Sequence, residues 1–340
     1  MKKLPLAIIA SGVVVAAVTT VAMLGSRPPP RPVATAPAPS SSVRAAATPY
    51  QRAVDVARGH GLRVWIEADL VKRWLAGKNS FREGVVMIAA LAARPGVVGI
   101  KIADEIGYRD GLNSPAQISA FLADSAAALR VAAPGKLLLI DVVLPELGCL
   151  PDYQPPLRWA TICAAQARGK YPQLALDQVD GYLRAHTVDV VDLSTGLLPD
   201  KTYAGWGVTE EVAQRTAWSE VKIRGWQNHV RLQARKALAH PGVWSSDTTA
   251  VGTFIDIPRA QGAQAVDVWT WRQQYRGAVY RLLDPGLRSN ALWTALTERR
   301  KSGAVLFTHF SPSSVEVNLN ADMAMLATVF TDLFVAAGTG

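Results

Sequence analysis

From about position 49 onward the chain alternates between two hydrophobic periods. Short runs dense in Val, Ile and Leu read as buried strands: Arg63–Glu67, Val97–Ala103, Leu137–Val143, Val188–Leu193, Ala265–Trp271 and Val305–His309. A weaker run, Val230–Arg235, fits strand or helix equally well. Between them lie longer Ala-rich stretches of helical period, such as 114–133 and 319–337. The first of these opens with Ser114 as its cap and Pro115 in its first turn. "RPGV" and "APGK" end helices just ahead of strands.

Repeated strand–helix units allow a doubly wound open sheet or a closed (β/α)8 barrel. No glycine-rich phosphate loop follows any strand, as a dinucleotide-binding sheet would want. Polar residues sit instead at the C-terminal ends of nearly every strand, the rim that carries active sites in barrels. The expected fold is therefore α/β, a TIM-type (β/α)8 barrel over 49–340. The eighth strand either hides before a helix at 50–60 or is missing, which leaves the barrel incomplete or its first strand irregular.

Within "VVGIKIADEIGYRDGL" (97–112), period two puts Val98, Ile100 and Ile102 toward the helices. Gly99, Lys101, Ala103 and Glu105 then face the lumen, and a buried Lys101 requires a carboxylate partner. Neighbouring strands end in the same style. Glu67 closes the first, and Asp141 lies within the third with Glu146 beyond it. Asp192 ends the fourth, and Arg235 and Lys236 follow Val230. Asp267, Trp269, Trp271, Arg272 and Tyr275 follow one another, and His309 ends the last run.

Composition adds an address. The chain has 340 residues, 49% hydrophobic, and a formal charge of +9. Lys2, Lys3, Arg27, Arg31 and Arg44 account for five of these charges, so the remainder carries an ordinary +4. No Lys/Arg block suggests a nucleic-acid partner. Lys2 and Lys3 precede an uncharged run from Leu4 to Leu24, long enough to span one bilayer. Residues 1–25 are expected to be a signal-anchor or a cleaved signal peptide. The protein would then be extracytoplasmic, held to the membrane by residues 4–24 or secreted after cleavage. Residues 26–48, rich in Pro, Ala and Ser, would be a semi-rigid spacer. In an oxidising setting, Cys149 and Cys163 are expected to form a disulfide across a Pro-rich loop.

Paired carboxylates with aromatic platforms suit carbohydrate chemistry. One acid protonates the leaving oxygen and a second carboxylate is nucleophile or base. A general acid must hold its proton, and Glu105, with Asp104 as like-charged neighbour, fits that role best; Glu67 or Asp141 would be the second carboxylate. Trp269, Trp271 and Tyr275 would stack on sugar faces. Asp104, Lys101, Glu146, Asp192, Arg235, Arg272 and His309 would line the substrate. No HExxH motif or paired Cys/His spacing points to a metal, and no cofactor is expected. "LSTG" and "SPSS" are not the GxSxG of a serine hydrolase.

On "GIKIADEIGY", "LLLIDVVLPE" and "VDVWTWRQQYRG" the chain resembles exported (β/α)8 glycoside hydrolases of bacteria. The resemblance is one of fold type and rim style. It implies a polysaccharide or cell-wall glycan as substrate. The large retaining clan ends its fourth strand in Asn-Glu and its seventh in Glu; here Asp104-Glu105 stands for the first, and no glutamate ends the tryptophan-rich strand. Two further readings stand beside it. One is a barrel that binds glycan without cutting it. The other is a lysine- or metal-dependent barrel lyase or aldolase working through Lys101 or Lys236.

Overall fold

The computed structural model describes residues 47–155, 157–242 and 248–336. Ten strands occur among them: β1 (Arg63–Glu67), β2 (Val97–Ala103), β3 (Leu137–Val143), β4 (Val190–Ser194), β5 (Arg231–Ala237), β6 (Ala265–Trp269), β7 (Arg272–Tyr275), β8 (Ala278–Arg281), β9 (Leu306–Phe310) and β10 (Asp332–Ala336). Strands β1 to β6, β9 and β10 are parallel and close into a barrel, β10 pairing back onto β1. Helices alternate with them, so the fold is α/β, a (β/α)8 barrel of the TIM type. Strands β7 and β8 form a separate antiparallel hairpin after β6.

Most boundaries follow the sequence pattern. Thr48 caps the helix Pro49–Gly59 through Gln51, and Ser114 caps Pro115–Ala132. The ambiguous run near 230 is the fifth barrel strand. Two expectations are corrected. The eighth strand does not precede the helix at 50–60. It lies at 332–336, inside the stretch expected to be helical from 319 to 337, which stays helical only over Leu319–Leu326. Asp332 to Ala336 carries Leu, Phe and Val and is hydrogen-bonded on both edges, to β1 and β9, so a two-sided ladder outweighs helical period. The expected strand Ala265–Trp271 ends at Trp269, and the chain then turns into the hairpin.

The expected signal or anchor segment and the spacer up to residue 46 lie outside the described residues. Among the described residues no helix is long and apolar enough to cross a membrane, so the expected transmembrane helix is not found there.

The barrel interior is layered. Its floor is apolar: Trp65, Leu139, Val190, Ala265, Phe307 and Phe334 pack together, and Trp65 Nε1 donates to Asp332 at 2.9 Å. Gly99 is required here, because a Cβ on it would stand 2.2 Å from the Trp65 ring. The outward positions, including Ile66, Ile100, Ile140, Val191, Leu232, Val266 and Leu333, join the main core against the helices. Above the aromatic floor the inward positions turn polar.

Candidate functional site

The upper lumen is built from inward residues of seven strands: Glu67 (β1), Lys101 (β2), Asp141 (β3), Asp192 (β4), Gln233 and Arg235 (β5), Asp267 (β6) and His309 (β9). Phe334 of β10 lies against Lys101 and His309. Lys101 Nζ lies 5.3 Å from that ring's centroid and the His309 ring 4.8 Å. Register brings them level: Glu67 pairs with Lys101, Asp141 with Asp192, and Arg235 with Asp267.

The charges form one connected chain. Lys101 Nζ donates to Glu67 at 2.8 Å and to Asp104 at 2.7 Å, and lies 3.5 Å from Asp141. Arg235 meets Asp141 at 2.7 Å, Glu105 at 3.2 Å and Asp104 at 3.7 Å. His309 bridges Glu67 at 3.0 Å and Asp267 at 2.7 Å through its two ring nitrogens. The Lys101 side chain is 0% exposed, whereas Asp104 is 54% and Glu105 39% exposed. The layer is thus sealed below and opens at one corner, where Asp104, Glu105 and Arg235 meet solvent.

The electrostatics follow from burial set against contact. Burial alone would raise Glu67, but His309 and Lys101 hold it far below the usual carboxylate range. Burial would lower Lys101, but Glu67, Asp104 and Asp141 raise it well above the ordinary lysine value. His309 is pushed up to about 9: Asp267 and Glu67 outweigh the burial that disfavours its charge. Asp267 is held low despite burial, chiefly by His309. Burial pushes Asp141 up to about 7 against the pull of Arg235 and Lys101. Asp192 stays well above the ordinary aspartate value through burial, Asp267 and Asp141.

The corner is shaped by the turn after β2. Ile106 N–H donates to the Asp141 carbonyl at 2.9 Å, and Asp110 accepts from the Gly107 and Leu112 N–H groups at 2.9 Å each. Between β2 and this turn Glu105 adopts φ 49°, left-handed backbone that costs a non-glycine residue about 1 kcal/mol or more. That conformation aims its carboxylate at Arg235.

Several residues expected at the rim do work elsewhere. Trp271 is buried among the helices, edge-on to Trp293 at 5.9 Å, so it is no platform beside Trp269. Glu146 is buried and accepts from Leu176 N–H at 3.2 Å while pairing with Arg168 at 2.8 Å. Arg272 pairs with Glu316 at 2.6 Å. Tyr275 lies on the exposed hairpin against Tyr280, which also meets Trp269 at 6.4 Å. Asp192 is buried and turns no oxygen to the mouth. Lys236 faces outward from β5, away from the lumen. Cys149 and Cys163 are joined by a disulfide, their Cα atoms 5.4 Å apart. Gln233 and Phe334 are members that sequence reasoning passed over. Gln233 was within reach of period two once 230–235 is a strand; Phe334 was hidden in the mistaken helix. Among the described residues no cluster of three His, Cys, Asp or Glu side chains is placed to hold a metal ion.

No family model matches the chain, and no curated protein is similar to it in sequence. Solved structures show a partial structural likeness. The carboxyl transferase domain of Rhizobium etli pyruvate carboxylase with pyruvate and biocytin is 11% identical at TM-score 0.44, over 85% of this chain and 42% of that one. The same domain with oxamate and biotin is 11% identical at TM-score 0.41, over 90% and 47%. The complete multifunctional enzyme is 10% identical at TM-score 0.42, over 85% and 24%. The chain thus spans less than half the length of these proteins, and the likeness is one of barrel architecture.

The glycoside-hydrolase expectation, with its carbohydrate acid–base pair, is corrected. The geometry of the expected carboxylates overturns it. Glu67 is locked between Lys101 and His309, Asp141 is sealed under Arg235, and Glu105 is paired with the Arg235 guanidinium. Lys101 is corrected as a nucleophile for the same reason: three carboxylates keep it an ammonium.

Proposed function

We propose that this chain is a barrel enzyme of the lyase and aldolase type, acting at the carbon beside a carbonyl group of a small polar substrate. The observation that carries this reading is the Glu105–Arg235 pair at 3.2 Å, half open at the mouth above a sealed charged layer. Glu105 takes the proton from that carbon, or from the hydroxyl of an aldol whose carbon–carbon bond then breaks. The electrons move onto the carbonyl oxygen, and Arg235 faces the oxyanion that develops. A guanidinium offers five N–H donors in a fixed fork, so Arg235 can keep Asp141 while it receives the substrate. Lys101 and His309 are permanent cations at neutral pH that hold the surrounding carboxylates in place. Asp141, near neutrality on the buried side of Arg235, is a proton store in contact with the same guanidinium.

The strained backbone at Glu105 supports the assignment, since such conformations persist where the surroundings impose them for function. An extracytoplasmic location belongs to the same proposal. It is supported by the Cys149–Cys163 disulfide and by the apolar run 4–24, through which the chain would be anchored or exported.

The test is hydrogen–deuterium exchange at the carbon beside the carbonyl, followed by NMR in D2O over a panel of short α-keto acids and hydroxyketones. The wild type should exchange at least one of them, and Glu105→Gln, with an unchanged circular dichroism spectrum, should lose about a hundredfold or more of that rate. Exchange no faster than buffer across the panel, or full activity in Glu105→Gln, sinks the reading.

A further inference from the structure

The N-terminal face of the barrel, opposite the charged mouth, carries two open cavities of about 320 and about 450 Å³. Volumes of roughly 300–1,000 Å³ are those of small-molecule sites. The first cavity lies where β4 and β5 begin and is lined by His186, Gln227, His229 and Arg231. The second is lined by Arg259, on the turn ahead of β6. Gln264, the residue just before β6, borders both, so the two form one trough. In barrels this face ordinarily serves stability, and the lumen chemistry does not use it.

The acids of the trough already have partners. Asp189 accepts from the Arg130 guanidinium at 2.8 and 2.9 Å and from Leu138 N–H at 2.8 Å. Asp256 pairs with Arg299 at 2.8 Å. The donors of the trough do not. Among the described residues Arg231 and Arg259 form no ion pair, and neither the His186 nor the His229 ring forms a hydrogen bond. Those two rings face each other with centroids 6.3 Å apart. His186 follows the helix Leu176–Arg184 at φ 52°, the left-handed closing position that glycine usually takes. Gln227 keeps a buried amide oxygen without a donor, as few buried polar atoms do.

We propose that this trough binds an elongated small molecule with an oxyanion at each end, at a site separate from Glu105 and Arg235. Arg231 takes one oxyanion, with the two imidazoles donating beside it, and Arg259 takes the other. The guanidinium fork matches the paired oxygens of a carboxylate or a phosphate. Gln227 Oε1 accepts from a hydroxyl of the ligand, and Gln264 lies along its middle. Two arginines whose charges no carboxylate offsets set the trough against a cation and in favour of an anion.

The test is isothermal titration of the intact chain with tripolyphosphate and with adipate, against inorganic phosphate and acetate as single-ended probes. At least one two-ended probe should bind about tenfold or more tighter than its single-ended counterpart, as one further charge-assisted contact implies. The probe that wins assigns the site to phosphate or to carboxylate. Arg231→Gln and Arg259→Gln should each lose about tenfold of that affinity. Neither arginine is buried, so both variants should keep the circular dichroism spectrum of the wild type. Backbone amides of 227–231 and 259–264 should exchange more slowly with the probe bound. No binding at millimolar concentration, or equal affinity for one-ended and two-ended probes, overturns the proposal. So does affinity that either arginine variant leaves intact, because basic residues elsewhere, such as Lys2, Lys3 and Arg27, would then account for it.

Discussion

Replacing Lys101 by Met removes one charge and little volume, so the outcome isolates what the ammonium does. Its side chain is 0% exposed and faces Glu67 at 2.8 Å, Asp104 at 2.7 Å and Asp141 at 3.5 Å. Asp141 would keep Arg235 at 2.7 Å and Glu67 would keep His309 at 3.0 Å, but the buried layer would hold the same acids with one cation fewer and no water to replace it. Removing one member of a buried ion network costs roughly 3–5 kcal/mol, because the remaining buried charges are left under-compensated. For large single domains each kcal/mol moves the midpoint by about 2–4 °C, so a fall of about 6–20 °C is expected. The assay is equilibrium urea unfolding and thermal melting followed by circular dichroism, with Lys72→Met as control. Lys72 pairs with Asp69 at 3.1 Å but is 77% exposed, and an exposed pair is worth about 1 kcal/mol or less. Adding Asp141→Asn to Lys101→Met should restore part of the loss. The deficit should also shrink as the pH falls below about 7, where Asp141 takes up a proton. If Lys101→Met loses no more than Lys72→Met, the charged layer is not the interdependent unit described here.

His309 offers a pH signature. Its folded pKa of about 9 lies above the unfolded value of about 6.5, so its contribution is complete below the unfolded value and is lost as the pH rises through about 9. The wild type should lose thermal stability across that window more steeply than His309→Gln, and parallel curves refute the assignment. Gly99→Ala should destabilise by about 1–3 kcal/mol or more in urea titration, since its Cβ would meet the Trp65 ring at 2.2 Å and the Leu137 carbonyl at 2.8 Å. Gly59→Ala, with nothing within 4 Å, is the control, and equal midpoints for the two variants refute a tightly packed floor.

The alternation of β-branched runs with helical stretches was enough to point to the barrel and to place six of its eight strands to within about two residues, with the run at 230–235 left open between strand and helix. It failed at the eighth because "DLFVA" follows a helix without a glycine or proline between them. Its strand state depends on β1 and β9, which are distant in sequence. Period two was equally strong for the lumen. Gly99, Lys101, Asp141, Asp192 and Asp267 alternate with apolar neighbours, and the structure turns them inward, together with Arg235 and His309. It misled at Trp271, where β6 ends two residues earlier and the inward–outward alternation no longer applies.

The sequence by itself determined the barrel, the inward-facing charges and the need of Lys101 for an acid, because these follow from the chain's own periods and from the cost of burying an unpaired amine. Only the tertiary structure decided which charges meet. It paired Glu67 with His309 and Lys101, gave Glu105 to Arg235, and set Asp267 against His309 while burying Asp141, so that two aspartates carry pKa values far apart. The reason is physical: the identity of a side chain fixes what it can donate or accept, but its protonation and reach depend on neighbours that closure of the barrel brings from other strands.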